Sequence, residues 1–330
     1  QTTPCQGRER AVTKAKTEAV RVGVDIGGTF TDVVLEAGDT LHSTKILTTH
    51  DAPERAILDG FLRVLDLAGK SPEDVSLIIH GTTLATNALI ERNGAKTAFI
   101  TTEGFRDVIE MRTENRFEQY DLNITLPAPL IERDHRYVLS ERIGPQGQVL
   151  RPLSDENLNE IVTNVIGGEY DSVAVGLIHS YVNDDHERRV RDRLLQHNPD
   201  LSVSISSEVS PQMREFGRFN TVCANAYVKP LMESYLRRLK QKLSELGVTC
   251  PVSMIHSGGG LISIEHAAQF PVRLVESGPA GGAIFAAHIA ARYGLNSVLS
   301  FDMGGTTAKI CLIEEHNPKT AKTFEVARTY

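Results

Sequence analysis

Cysteine is scarce in this chain, and none of it is paired by spacing. Cys5, Cys223, Cys250 and Cys311 lie far apart and form no C-x-x-C pair. This excludes a zinc ribbon and a disulfide-stapled scaffold, and leaves reduced thiols in the cytoplasm as the expectation. No apolar run approaches the roughly 18 residues of a membrane span. The first 18 residues are polar and carry no apolar h-region, so no secretory signal is read there. Residues 1–20 are expected to be a disordered lead-in. H-E-x-x-H, Ser-His-Asp and Cys-His signatures are absent, which argues against a self-contained hydrolase. What remains is ordinary globular material: 330 residues, 41% hydrophobic and 23% charged. That length corresponds to about two domains. The formal net charge of −7 argues against nucleic acid or an anionic membrane as the partner.

Two matched glycine-rich loops stand out. The first reads Val24-Asp25-Ile26-Gly27-Gly28-Thr29-Phe30-Thr31-Asp32-Val33, the second Phe301-Asp302-Met303-Gly304-Gly305-Thr306-Thr307-Ala308-Lys309-Ile310. Each is an apolar strand, an Asp, Gly-Gly-Thr, and a second apolar strand. A turn this tight makes a hairpin whose backbone N–H groups gather around an anion. Glycine allows positive φ and close approach of a phosphate. An Asp at the strand end suits a divalent cation beside that phosphate. One such loop is weak evidence; two in the same context suggest two lobes clamping one nucleotide.

Between the loops, strand and helix signals alternate, which is the α/β pattern. Strands are expected at 42–47, 75–80, 96–101, 172–178, 201–205 and 251–256, and a last one at 323–327. Helices are expected from Pro53 to 67, from 154 to 165, over 184–197 and over 278–293. Residues 219–246 read as one long helix or two, interrupted at Pro230. The stretch near 102–150, with Pro127 and Pro129, reads as a loop-rich insertion. Only about twenty residues follow the second loop, so the second lobe is expected to be incomplete.

With both loops in view, the chain resembles the sugar kinase, Hsp70 and actin superfamily of ATPases. Within it, the resemblance to the hydantoinase A and 5-oxoprolinase family covers residues 21–330. It is carried by Asp25-Ile26-Gly27-Gly28-Thr29-Phe30-Thr31-Asp32, His80-Gly81-Thr82-Thr83 with Thr86-Asn87-Ala88-Leu89, Thr101-Thr102-Glu103-Gly104-Phe105-Arg106-Asp107-Val108, Ser210-Pro211-Gln212-Met213-Arg214-Glu215, Asn225-Ala226-Tyr227-Val228 and Ser277-Gly278-Pro279-Ala280-Gly281-Gly282. The resemblance implies ribonuclease H-like α/β lobes with mixed sheets. It places an N-terminal lobe over 21–205 and the start of a second lobe over 206–330. It implies ATP and Mg²⁺, and an ATP-dependent amidohydrolase subunit that opens a hydantoin, 5-oxoproline or lactam by phosphorylating the carbonyl oxygen. The alternatives are an ATP-dependent ketone carboxylase subunit of the acetone or acetophenone type, and a non-catalytic actin-like ATPase fragment. A hydantoinase B-like second subunit is the implied partner, in a hetero-oligomer.

The expected phosphate contacts are Gly27, Gly28, Thr29 and Thr31 with Gly304, Gly305, Thr306 and Thr307. Asp25 and Asp302 are the expected metal ligands. Asp32, His80 and Thr82 are the candidate catalytic residues; a buried, hydrogen-bonded His80 and a strand-end Asp32 are the bland readings beside them. Arg106, Arg112 and Arg116 are candidates for an anionic substrate or simply a solvated face. Glu215 and Arg218 read as an ion pair, and Asp184-Asp185-His186-Glu187 as a helix start, since adjacent residues cannot all face one ion. Much of the superfamily ends the second loop Gly-Thr-x-Asp, whereas here Lys309 holds the Asp position. It can reach a phosphate as a point charge or sit solvated at a strand end.

Overall fold

The computed structural model of the chain describes residues 19–49, 51–113, 120–124, 127–303 and 308–321. Four expectations lie outside them: most of the lead-in, Arg116, the strand at 323–327, and Gly304, Gly305, Thr306 and Thr307 of the second loop.

The chain opens with β1 (Val20–Ile26), β2 (Phe30–Ala37), β3 (Thr40–Leu47) and helix α1 (Pro53–Ala68). Pro53 sits in the first turn of α1, where its missing N–H costs nothing. Gly69 ends that helix in the left-handed region, φ 61°. Next come β4 (Val75–Thr82), α2 (Leu84–Ile90), β5 (Thr97–Thr102) and the single turn α3 (Val108–Met111). The region expected to be loop-rich holds β6 (Arg136–Leu139) and a small hairpin, β7 (Arg142–Ile143) and β8 (Val149–Arg151). Then follow α4 (Asp155–Gly167), β9 (Ser172–Gly176), α5 (Asp185–His197), β10 (Ser202–Ile205), the short α6 (Ser206–Val209) and the long α7 (Glu215–Glu245). The described chain closes with β11 (Val252–Ile255), β12 (Leu261–Ser263), α8 (Ile264–Gln269), α9 (Ser277–Arg292), β13 (Ser297–Met303), β14 (Ala308–Glu314) and β15 (Asn317–Pro318).

The first sheet runs β12-β11-β4-β1-β2-β3. β1, β2 and β3 are antiparallel neighbours, and β4 and β11 run parallel to β1. This is the mixed pattern expected of a ribonuclease H-like lobe. A second sheet, β10-β9-β5-β6, is parallel throughout. β6 therefore turns part of the expected insertion into structure. β11 and β12, beyond residue 205, also pair into the first sheet.

Alternation explains the burial. On β1 and β2, Val22, Val24, Ile26, Val33 and Leu35 point to one side and are 5% exposed or less. α1 and α7 cover that side, joining Phe61, Tyr235, Leu236 and Leu239 to the same core. α7 is the shared strut. Its first half packs Phe219, Val222, Cys223 and Ala226 against Phe99 of the second sheet, and its second half packs under the first sheet. It runs unbroken through Pro230, although proline normally breaks a helix interior. Nearby, the Tyr227 carbonyl accepts the Ala95 N–H at 2.9 Å. Among the described residues, no helix is long and apolar enough to cross a membrane.

Candidate nucleotide site

The site is built on the other side of the first sheet. Alternation places Asp25 opposite Val24 on β1, and the register sets it beside Asp32 across the hairpin and Gly81 on β4. Gly81 is required: a Cβ there would stand 3.0 Å from Asp25 Oδ1. The turn is equally tight, since the Gly27 N–H donates to Phe30 O at 2.9 Å and a Cβ on Gly27 would meet that oxygen at 3.1 Å. Thr31 and Thr48 share a hydroxyl hydrogen bond of 3.0 Å, and Thr48 also donates to Gly27 O. These bonds spend Thr31 on bracing the turn from behind. Gly28 and Thr29 are left at the exposed tip, with the Asn87 amide 3.7 Å from where a Gly28 Cβ would lie. Thr83 donates both its N–H and its hydroxyl to Ile26 O at 3.1 Å, which ties the start of α2 to the loop.

Asp25 feels two further carboxylates here, although among the described residues no three acids form a metal-holding cluster. Asp25 is raised above the ordinary carboxylate value, first by desolvation, then by the charges of Asp32 and of Asp302 on β13; Lys45 opposes the rise. Asp302 thus lies within electrostatic reach across the cleft. Like charges held this way favour a divalent cation among them. Asp25 and Asp302 are oxygen donors of the type Mg²⁺ takes, and each would need water or phosphate oxygens to complete a shell. Gly28 and Thr29 stand exposed beside them. Asp32 itself is paired with Lys45 at 2.7 Å on the rim.

His80 goes elsewhere. It shares a face with Val24, away from Asp25, and is 1% exposed. Its Nε2 lies 2.6 Å from the Tyr235 hydroxyl and its Nδ1 3.4 Å from Val24 O. Burial lowers its pKa to about 4, so the ring is neutral, with Nδ1–H donating to the carbonyl and Nε2 accepting from tyrosine. Thr82 is also buried. Its hydroxyl accepts the Leu84 N–H at 3.2 Å, and its carbonyl accepts the Ser277 hydroxyl at 3.2 Å. The structure thus pairs Asp25 with Asp32 across β1 and β2, and keeps His80 and Thr82 on the other side of that sheet, with Val24 and Ile26.

The remaining candidates sort similarly. Arg106 lies 3.9 Å from Asp107, and Arg112 donates to Pro127 O. Arg218 is buried and donates to Leu177 O and Gln212 O, with Glu215 3.7 Å away. Asp184 and its neighbours do start α5. Glu187 is sunk under that helix, accepting from Leu177 N, Ser206 Oγ and Ser207 N. Sequence reasoning did not single out Glu276. It lies at the start of α9 with φ 64°, its N–H donates to Thr86 Oγ1 at 3.2 Å, and its carboxylate holds Lys309 at 2.7 Å. A non-glycine residue with positive φ was the available structural sign; nothing in the local sequence signals it.

A mixed sheet led by an aspartate-bearing hairpin, with a second such hairpin facing it, defines an actin-like ATPase-type fold. Residues 21–198 match the hydantoinase/oxoprolinase N-terminal region, and 218–330 match the hydantoinase/oxoprolinase domain. The chain belongs to the hydantoinase/oxoprolinase family. It is 37% identical to an uncharacterized protein of Methanocaldococcus jannaschii, over 93% of this chain and 45% of that protein. It is 32% identical to caprolactamase subunit alpha of Pseudomonas jessenii, again over 93% and 45%. To 5-oxoprolinase of Saccharomyces cerevisiae it is 30% identical, over 88% of this chain and 25% of that enzyme. The solved ATP-dependent caprolactamase superposes with a TM-score of 0.78 at 31% identity, covering 88% of this chain and 43% of that one. Nucleotide-free acetone carboxylase shares the fold, with a TM-score of 0.82 at 24% identity, covering 91% and 44%. The chain spans less than half the length of these relatives.

Proposed function

We propose that the chain carries the ATP-binding part of a cytoplasmic, ATP-dependent amidohydrolase that opens a cyclic amide or imide: a hydantoin, 5-oxoproline or a lactam. The observation that carries this reading is Asp25 beside Asp32 on the first hairpin, with the charge of Asp302 on the second felt at Asp25, in a chain whose relatives include a caprolactamase subunit and a 5-oxoprolinase. Asp25 and Asp302 would hold Mg²⁺, and Gly27, Gly28 and Thr29 with Gly304, Gly305, Thr306 and Thr307 would line the phosphates. When bound, ATP supplies the γ-phosphoryl group that turns an unreactive ring carbonyl oxygen into a leaving group.

The protein's part is positioning and charge stabilisation. Gly81 lets the Asp25 carboxylate lie flat against β4. The Thr31–Thr48 bond keeps the turn closed, so its N–H groups stay aimed. Asp32, with Lys45 as its counter-ion, orients the group that attacks. His80 and Thr82 act behind the site, locking β4 to α7 and α9. A second, hydantoinase B-like subunit would complete the reaction, as the word subunit in the caprolactamase name suggests. Ketone carboxylation shares the fold, but no observation favours it over ring opening. The test is ATP turnover by the native assembly with hydantoin, 5-oxoproline and caprolactam. Stimulation by one of them without bicarbonate supports the reading; stimulation only by a ketone with bicarbonate overturns it.

A further inference from the structure

The two hairpins match in register and differ in charge. In the first, Asp25 faces Asp32 across the strands; in the second, Asp302 faces Lys309. Lys309 therefore stands where the first hairpin has its second acid. It is no solvated strand end: it is 28% exposed, and its ammonium is 2.7 Å from Glu276, itself 14% exposed. Glu276 is fixed from the opposite side. Its backbone is held in the left-handed region, its N–H is bound to Thr86, and the neighbouring Ser277 hydroxyl is bound to Thr82 O. A positive φ at glutamate is unfavourable and persists where the surroundings impose it. The acid that orients Lys309 is thus anchored in the first lobe, while Lys309 belongs to the second hairpin. Lys45 sits on Asp32 at the exposed rim, whereas Lys309 is the cross-strand neighbour of Asp302, whose charge is felt at Asp25. One Mg²⁺ leaves part of a triphosphate's charge unmatched. Lys309, cross-strand from Asp302, is the cation placed to meet the remainder.

We propose that Lys309, oriented by Glu276, contacts the terminal phosphate and makes the site prefer a triphosphate to a diphosphate. This rests on the ATP reading above, and Glu276 is a positioning residue. The two hairpins then divide the work: the first holds the metal with two acids, and the second meets phosphate charge with a lysine.

The experiment is calorimetric titration of Mg·ATP and Mg·ADP into the native assembly, with K309M, K309R and E276Q beside the parent and a melting curve for each. Lys309→Met keeps the aliphatic stem and removes the charge. K309M is expected to lose about tenfold in ATP affinity, the scale of one charge-assisted phosphate contact, and less than about threefold for ADP. K309R keeps the parent ratio, and E276Q falls between, because the ammonium is present but unheld. An ATP-to-ADP ratio unchanged in K309M, or an equal loss for both nucleotides, makes the ion pair purely structural and overturns the inference while leaving the ATP reading intact. A parent that binds neither nucleotide overturns both. Should K309M fail to melt cooperatively, the decision passes to E276Q, whose unchanged ratio overturns the role of Glu276 and whose lowered ratio supports it.

Discussion

The first and second hairpins share one sequence plan and meet opposite fates. Val22, Val24, Ile26, Val33 and Leu35 of the first correspond by register to Leu299, Phe301, Met303, Ile310 and Leu312 of the second. The first set is 5% exposed or less; the second is between 43% and 72% exposed. In the first lobe, α1 and α7 lie across that face. Among the described residues, nothing lies across its counterpart, and α9 packs on the opposite side. An apolar pattern of period two states which face wants to be buried; it does not supply the helix that buries it. Among the described residues, these five side chains of the second hairpin stand without cover.

The sharpest way to break this comparison is to delete one aromatic ring on each side of it. Phe61, on α1 under the first hairpin, is fully buried. Phe61→Ala is expected to cost about 3–5 kcal/mol in urea unfolding. Phe301→Ala removes an exposed ring and should change stability by less than about 0.5 kcal/mol. Comparable losses would mean that something covers the second face in solution. The next effect falls on the cleft. Asp25→Asn keeps the shape and removes the charge Mg²⁺ needs, so Mg·ATP affinity should fall by about a hundredfold, on the order of 2.7 kcal/mol. Titration with and without Mg²⁺ separates loss of metal from loss of the turn.

A third prediction concerns His80, buried under the first hairpin. The folded pKa of His80 is about 4, below the ordinary 6.5. The folded ring stays neutral while the unfolded chain takes up a proton as pH falls through 6.5. Stability is therefore complete above pH 6.5 and declines towards pH 4, by up to about 3 kcal/mol from this group. His80→Asn should remove that part of the decline, read as the difference between two pH–stability curves. Tyr235→Phe strips Nε2 of its donor and should cost about 1–3 kcal/mol at neutral pH. A parent and a His80→Asn chain with parallel curves would place the ring in water instead.

Much of the first hairpin's environment was legible. The Asp-Ile-Gly-Gly-Thr turn, the proline that opens α1, and β4 ending in His80-Gly81-Thr82 all follow from local pattern. What was not legible depends on distant partners. α7 crosses Pro230 because two cores hold its halves, and no local rule reports that. β6 lies among prolines and charges, and it is a strand because β5 offers it a parallel edge. β11 returns to the first sheet from far along the chain. The side on which His80 points required the register of β4 against β1, which places Val24 and Tyr235 around it and leaves Gly81 to the cleft. The pairing of Lys309 with Glu276 joins two segments whose spacing carries no motif.

The smallest effect compares the two lysines. Lys45 and Asp32 form a pair 57% and 47% exposed, where water screens the attraction and ordering two long side chains offsets most of it. Lys45→Ala should therefore change stability by no more than about 0.5 kcal/mol, and moderate salt should erase even that. The Lys309–Glu276 pair is less exposed on both partners and is anchored by a strained backbone, so its removal should be felt more and screened less. Urea midpoints of Lys45→Ala and Lys309→Met at low and high salt place the two on one scale. If both respond alike, the cleft treats its two cations as equivalent rim charges. If only Lys309→Met resists salt, the second hairpin owns a lysine held for a purpose that the first hairpin gives to an acid.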